Sequence, residues 1–266
     1  MSEIIWLNGQ YLDANKALIP HSDAGFQRGL GVFDTMLGID GEPINPQPHF
    51  KRLTDNCKTC LLTDFPYDLD WFCTTASRLL DKMGLREGHA RIRTQITTGT
   101  PKEMFALPDK PLIMMSAIAA HVPEEITPLK VCIVEEYPRI AHCAFENCKR
   151  IDYTRSYFAK QKAIAEGFDD AIITNTEGNV ACATTSNLFI LEGNKLITPP
   201  LVDGVLDGIT RKTLISEGNV KEQSISKTRL LSADAIFFTN SILGIRPIMQ
   251  VNQSGFNTDI PIKKVA

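Results

Sequence analysis

The sequence contains no apolar run approaching the ~18 residues that a membrane-spanning helix requires. It also lacks any excess of positive charge. Lys and Arg number 28 against 31 Asp and Glu, a net charge of -3 with pI near 6.0, so a nucleic-acid partner is not expected. Histidine is scarce, and the 5 present are isolated without metal-ligand spacing, which argues against a metal site. Residues Met1–Gln10 lack the basic segment and long apolar core of a secretory signal. The 7 cysteines are scattered and odd in number, a usage that fits reduced thiols in a cytoplasmic protein. Cys57-Lys-Thr-Cys60 is a C-x-x-C with no second pair, inside a predicted helix. It reads as two buried thiols one turn apart rather than as a metal or redox motif. There is no internal repeat and no low-complexity tract.

What remains is ordinary globular composition over 266 residues, 43% hydrophobic and 22% charged, enough for one large domain or two modest ones. Strands are predicted over Ile4–Leu7 and Val32–Ile39, each followed by a turn signal (Asn8-Gly9, Asp40-Gly41), over the alternating Ala90–Thr98, and over the nearly continuous apolar and therefore buried Leu112–Ala119. Helical spacing covers His49–Leu62 and Asp68–Met83. The polar, two-proline stretch His121–Pro128 ends this half, giving a smaller domain over residues 1–121, a linker over 122–128 and a larger domain over 129–266. The second half offers strands at Lys130–Glu135, Asp170–Thr174, Val180–Ala183, Ser186–Leu191 and Lys195–Ile197. Helices are expected over Thr154–Glu166 and from about Gly208, and a final strand Ala235–Thr239 is expected to close the core. Strands with few intervening helices in both halves argue for two α+β domains rather than a doubly wound sheet.

The residue pattern suggests an anion site. Asp207-Gly-Ile-Thr-Arg211 follows Pro199-Pro200 and opens a helix, where free N–H groups, a hydroxyl and the helix dipole favour negative charge. The same residues also suit an ordinary N-cap. Arg52, one turn after His49, either adds a cationic fork for the anion or lies solvated at the surface.

Five segments, in chain order, carry a family resemblance. Asp23-Ala-Gly-Phe-Gln-Arg-Gly-Leu-Gly-Val-Phe-Asp-Thr35 is similar to D-x-G-F-x-x-G-D-G-V-F-E-T, and His49-Phe-Lys-Arg-Leu53 to H-x-x-R-L. Gly178–Phe189 resembles G-x-V-x-E-x-x-x-x-N-x-F. Thr198-Pro-Pro200 with Leu206–Arg211 resembles T-P-P…L-x-G-I-T-R, and Ala233–Ser241 resembles A-D-E-x-F-x-x-x-[ST]. These are the marks of the class IV (fold type IV) pyridoxal-phosphate enzymes, which include branched-chain and D-amino-acid aminotransferases and aminodeoxychorismate lyase.

The resemblance implies an α+β fold of two α/β-type domains with pyridoxal 5'-phosphate in the cleft between them, and a homodimer whose loops complete each other's sites. By the same resemblance Lys149 forms the Schiff base and moves the proton at the substrate's Cα. Tyr153 contacts the ring oxygen, and Arg52, Ile209, Thr210 and Ser241 hold the phosphate. Asn187 either lies near the ring or caps a turn at a strand edge. Phe33, Arg93 and Thr98 fall at substrate positions. Arg93 shares a strand face with Arg91, and either meets a substrate carboxylate or pairs with a neighbouring acid. Thr98 stands where D-amino-acid aminotransferases carry a carboxylate-binding arginine.

One position departs from the pattern. The family's glutamate, whose carboxylate keeps the pyridine nitrogen protonated, is replaced by Cys182. A thiol of reference pKa ~8.5 is a poor substitute for a carboxylate of ~4.3. Amino transfer between an amino acid and a 2-oxo acid should suffer more from this than elimination chemistry. The first reading is therefore an aminotransferase. The second is a lyase releasing pyruvate from aminodeoxychorismate to give 4-aminobenzoate for folate synthesis, a reading that Thr239-Asn-Ser-Ile-Leu-Gly-Ile-Arg-Pro247 also favours through its likeness to the T-N-S-I segment of those lyases. The third is a weak or inactive homologue in which Cys182 is merely a small buried residue.

Overall fold

The computed structural model describes residues 3–103, 105–106, 110–218 and 220–258. The chain divides into two compact units. One comprises Met1–Val122 with the returning segment Cys148–Asp152, and the other Pro123–Asn147 with Tyr153–Ala266.

The first unit is built on strands β1 (Ile4–Leu7), β2 (Gln10–Asp13), β3 (Gly31–Ile39), β4 (Glu42–Pro43), β5 (His89–Thr97) and β6 (Leu112–Ala119). Its helices are α1 (Ala24–Arg28), α2 (Pro46–Asn56) and α3 (Leu69–Lys82). The strands form an antiparallel sheet in the order β2-β1-β6-β5-β3-β4. Asn8 and Gly9, both at positive φ, make the β1–β2 turn as a two-residue hairpin requires. In α2, Pro46 occupies the first turn, where its missing N–H costs nothing. His49, Arg52, Leu53 and Asn56 line the buried face, at the i, i+3, i+4, i+7 spacing of one helix side. Helix α3 begins at Asp68, whose carboxylate accepts the Trp71 N–H at 2.8 Å, and buries Phe72, Ala76, Leu79 and Leu80. Those side chains meet Val32, Met36, Ile92, Ile96 and Met115 from the sheet to form the core. The predicted helix over His49–Leu62 does not run on as a regular α-helix: Cys57–Leu61 widens into a π-turn ending at Leu62, in the left-handed region at φ 52°.

The second unit contains β7 (Leu129–Arg139), α4 (Thr154–Ala165), β8 (Asp170–Asn175), β9 (Val180–Ala183), β10 (Asn187–Glu192), β11 (Lys195–Thr198), α5 (Ile209–Ser216), β12 (Val220–Glu222), α6 (Lys227–Leu231), β13 (Ala235–Asn240), β14 (Gly244–Val251) and β15 (Ser254–Gly255). The path β10-β13-β14-β7-β8-β9 closes on itself because Asn187 of β10 also pairs with Cys182 of β9. Closure removes the exposed strand edges of this ring. Its interior holds Val131, Ile172, Leu188, Ile190, Phe238 and Ile248. Small residues Ala159 and Ala163 let α4 pack closely on Cys132, Val134, Ala171 and Ile173.

Ala235–Thr239 does not close the core. Strand β14 follows it, pairing antiparallel with β13 and parallel with β7. Pro247 lies within β14, opposite Phe237. A proline is a poor sign of a strand because it has no N–H for the ladder, and here it conceals one.

Candidate active site

Lys149 lies on the segment that returns to the first unit, where β3 holds it by backbone pairing. The Phe33 N–H donates to the Lys149 carbonyl at 2.8 Å, and the Ile151 N–H donates to the Gly31 carbonyl at 3.0 Å. An isolated antiparallel bridge joins Val32 to Arg150 between them. Gly31 is required by this close approach. A Cβ there would lie 2.6 Å from Ile151 Cδ1 and 2.9 Å from the Ile96 carbonyl oxygen, inside any real contact distance. The Lys149 Nζ sits 4.4 Å from the centre of the Phe33 ring, and the Arg93 guanidinium carbon lies 3.7 Å from the same ring. Phe33, Arg93 and Lys149 are thus brought together around one aromatic ring, which attracts both cations. Arg93 also donates from Nε to Gln95 Oε1 at 3.2 Å.

On the opposite face of β3, Asp34 anchors α2. Its carboxylate accepts from Arg52 Nε at 2.7 Å and Nη2 at 3.0 Å, and lies 2.6 Å from His49 Nδ1. Burial alone would raise the Asp34 pKa. The Arg52 charge and the His49 hydrogen bond overcome that effect and bring it from 3.8 to about 2. Arg52 is therefore not a solvated surface arginine, since its fork is held in one orientation by a buried carboxylate. Thr98 is buried just beyond β5, and its Oγ1 has no hydrogen-bond partner among the described residues.

In the second unit, Asn187 organises the loop before α5. Its Nδ2 donates to the Leu206 carbonyl at 2.8 Å, and a Cβ on Gly208 would lie 2.0 Å from its Oδ1. Gly208 is the N-cap of α5 and brings no side chain to satisfy the first-turn N–H groups. Ile209 and Thr210, both buried, follow it. The buried Thr239 Oγ1, on the strand residue paired with Asn187, lacks a partner among the described residues. An uncapped helix start, a cradle that a Cβ would fill and an orphaned hydroxyl suit the oxyanion of a phosphate ester. Arg211 is instead held in structure by Nη2, which donates to the Pro199 carbonyl at 3.1 Å and pairs with Glu222, while its buried Nε lacks a partner among the described residues. Ser241 follows β13, and Tyr153 is the N-cap of α4.

Cys182 is buried among Ala181, Leu201 and Val205. Burial pushes its thiol upward, opposed by the Arg139 charge and reinforced by the charges of Glu146 and Asp170. The thiol is accordingly neutral at physiological pH. A feature that residue spacing did not reveal lies nearby in this network: buried Glu146 pairs with Arg139 at 2.9 Å and Arg155 at 2.7 Å. Neither the separation of these residues in sequence nor a motif marks them.

The sequence pattern described as amino-transferase class IV matches residues 31–251. This chain belongs to that family. It is 27% identical over 262 residues to an aminodeoxychorismate lyase of Bacillus subtilis, covering 96% of this chain and 89% of that protein. It is 23% identical over 256 residues to a D-alanine aminotransferase of Staphylococcus haemolyticus, covering 93% and 89%. Among solved structures, it resembles a branched-chain aminotransferase from Thermoproteus uzoniensis at a TM-score of 0.89 and 25% identity, covering 98% of this chain and 91% of that one. The fold is that of the type IV aminotransferases, and the protein is an enzyme of the class IV aminotransferase family, whose members use pyridoxal phosphate. No helix among the described residues is long and apolar enough to cross a membrane.

Proposed function

We propose that this class IV enzyme binds pyridoxal 5'-phosphate covalently through Lys149 and moves an amino group between an amino acid and a 2-oxo acid. The observation that carries the cofactor assignment is the uncapped start of α5, set between the Gly208–Asn187 cradle and the orphaned Thr239 hydroxyl. The Ile209 and Thr210 N–H groups, the hydroxyls of Thr210 and Ser241 and the Arg52 guanidinium hold the phosphate. Tyr153 meets the ring oxygen. Asn187 fixes the phosphate loop through Leu206. Cys182 stands in place of the ring-nitrogen carboxylate. When bound, the cofactor supplies an electron-withdrawing ring conjugated to the substrate nitrogen. Lys149 takes and returns the proton at the substrate's Cα. The Phe33 ring keeps the Lys149 amine and the Arg93 guanidinium close to each other, where Arg93 meets the substrate carboxylate and Thr98 adds a hydroxyl. The enzyme works as a cytoplasmic homodimer.

A second reading, pyruvate release from aminodeoxychorismate to form 4-aminobenzoate, is favoured by Cys182. A neutral thiol withdraws less charge through the ring than a glutamate-paired pyridinium, and elimination depends less on that withdrawal. One pair of assays separates these readings: conversion of 2-oxo acids with amino donors, and release of pyruvate from aminodeoxychorismate. In the amino-donor assay, Cys182→Glu should speed the half-reaction about tenfold or more, since the carboxylate restores the ring's charge partner. An unchanged or slower half-reaction in that variant, with cofactor bound, overturns the role given to Cys182.

A further inference from the structure

The loop leading into α5 is pinned along its backbone. A short 3₁₀ turn, Leu201–Asp203, ends at Gly204 in the left-handed region at φ 80°. Asn147 Nδ2 donates to the Leu201 and Val205 carbonyls, both at 2.8 Å. Asn175 Nδ2 donates to the Asp203 carbonyl at 3.3 Å, Arg139 Nε to that of Gly204 at 2.9 Å, and Asn187 Nδ2 to that of Leu206 at 2.8 Å. The His142 N–H takes the Val202 carbonyl at 2.7 Å. Every carbonyl from Leu201 to Leu206 thus has a donor, and Asn147 alone serves both Leu201 and Val205.

Asn147 differs from the other clasps in its place in the chain. It ends a 3₁₀ turn, Ala144–Asn147, and precedes Lys149 by one intervening residue. Its own carbonyl accepts the Asp207 N–H at 3.4 Å, so its backbone and side chain hold successive points of the same loop. Arg139 steadies this grip, because its Nη2 donates to the Glu146 carbonyl at 3.0 Å while its Nε holds Gly204. The orientation of the Asn147 amide is fixed by its partners, since an oxygen in place of the nitrogen would face two carbonyl oxygens.

We propose that Asn147 is a positioning residue for a phosphate ester: it clasps the Leu201–Val205 turn and so presents the uncapped start of α5 as a preformed anion site. This role rests on the phosphate site proposed for α5. A loop already held in its bound form loses little freedom when the anion arrives, and the affinity gained is specific to the ligand's phosphate.

The test titrates the full-length protein with pyridoxal 5'-phosphate and with pyridoxal, which lacks the phosphate, reading binding by absorbance. Wild type should bind the phosphate ester about a hundredfold more tightly. Asn147→Asp keeps the shape but sets a carboxylate against two carbonyls. In that variant pyridoxal 5'-phosphate should bind about tenfold more weakly, while pyridoxal changes by less than about twofold. Asn147→Ser, which removes the clasp without adding charge, should shift the ratio of the two affinities in the same direction. Hydrogen exchange of the cofactor-free protein reads the loop itself, and amides of residues 203–208 should exchange about tenfold faster in both variants. Equal weakening for both ligands, or a ratio unchanged in both variants, overturns the role of Asn147. A wild type that binds the two ligands alike overturns the phosphate site at α5, and the positioning role with it.

Discussion

Asp34→Asn is the variant that best exposes how the first unit is held together. The Asp34 carboxylate is buried with Arg52 and His49 as its partners. Its pKa falls from 3.8 to about 2, which at about 1.4 kcal/mol per unit corresponds to roughly 2 kcal/mol favouring the folded state. Because the folded-state value is the lower one, this stability is complete above the unfolded value near 3.8 and is lost as pH falls through about 2. The asparagine variant lacks that term at every pH. It also leaves the Arg52 guanidinium buried without a counter-charge, and breaking a buried pair in this way costs about 3–5 kcal/mol. A loss of about 3 kcal/mol should lower the melting transition of this unit by roughly 11 °C. Calorimetry at neutral pH reads that shift, and a series down to pH 2 should show a shallower acid limb than wild type. Pyridoxal-phosphate affinity should also fall, since Arg52 loses the contact that aims it. A melting temperature within about 1 °C of wild type, with the same acid limb, would show that the Asp34 carboxylate does not hold α2 to the sheet.

Two further variants probe the supports of the site. Gly31→Ala places a methyl group against Ile151 Cδ1 and the Ile96 carbonyl. It should cost about 1–3 kcal/mol and weaken covalent cofactor attachment, as read by thermal denaturation and by absorbance of the loaded protein. Gly208→Ala sets a Cβ against Asn187 Oδ1, displacing the clamp on Leu206. It should raise the dissociation constant for pyridoxal phosphate about tenfold in an equilibrium titration, and overpacking against the buried Asn187 should also cost about 1–3 kcal/mol in thermal denaturation of the cofactor-free protein.

Much of this arrangement is legible in the sequence where local rules act alone. The strands β3, β5, β6 and β9 and the helices α3 and α4 follow from apolar periodicity, and the Gly208–Arg211 helix start from its composition. The regions that sequence rules misread are those where tertiary contacts decide. Strand β14 is masked by Pro247 because its neighbours β13 and β7, rather than intrinsic propensity, define it. The π-turn at Cys57–Leu61 interrupts the helical spacing read over His49–Leu62. Nothing local marks Lys149 either. Its setting comes from backbone pairing to β3 and from the ring of Phe33, partners more than a hundred residues away. Asp34 appears in the sequence only as the acid of a motif. The buried fork to Arg52 explains why an acid is needed there.

The most direct test of the account is to load the protein with pyridoxal phosphate, reduce it with borohydride and map the modified peptide by mass spectrometry. One phosphopyridoxyl group is expected on Lys149, with Lys149→Ala binding the cofactor without covalent attachment. Modification of a different lysine, or stable cofactor binding by wild type with no lysine modified, would contradict it.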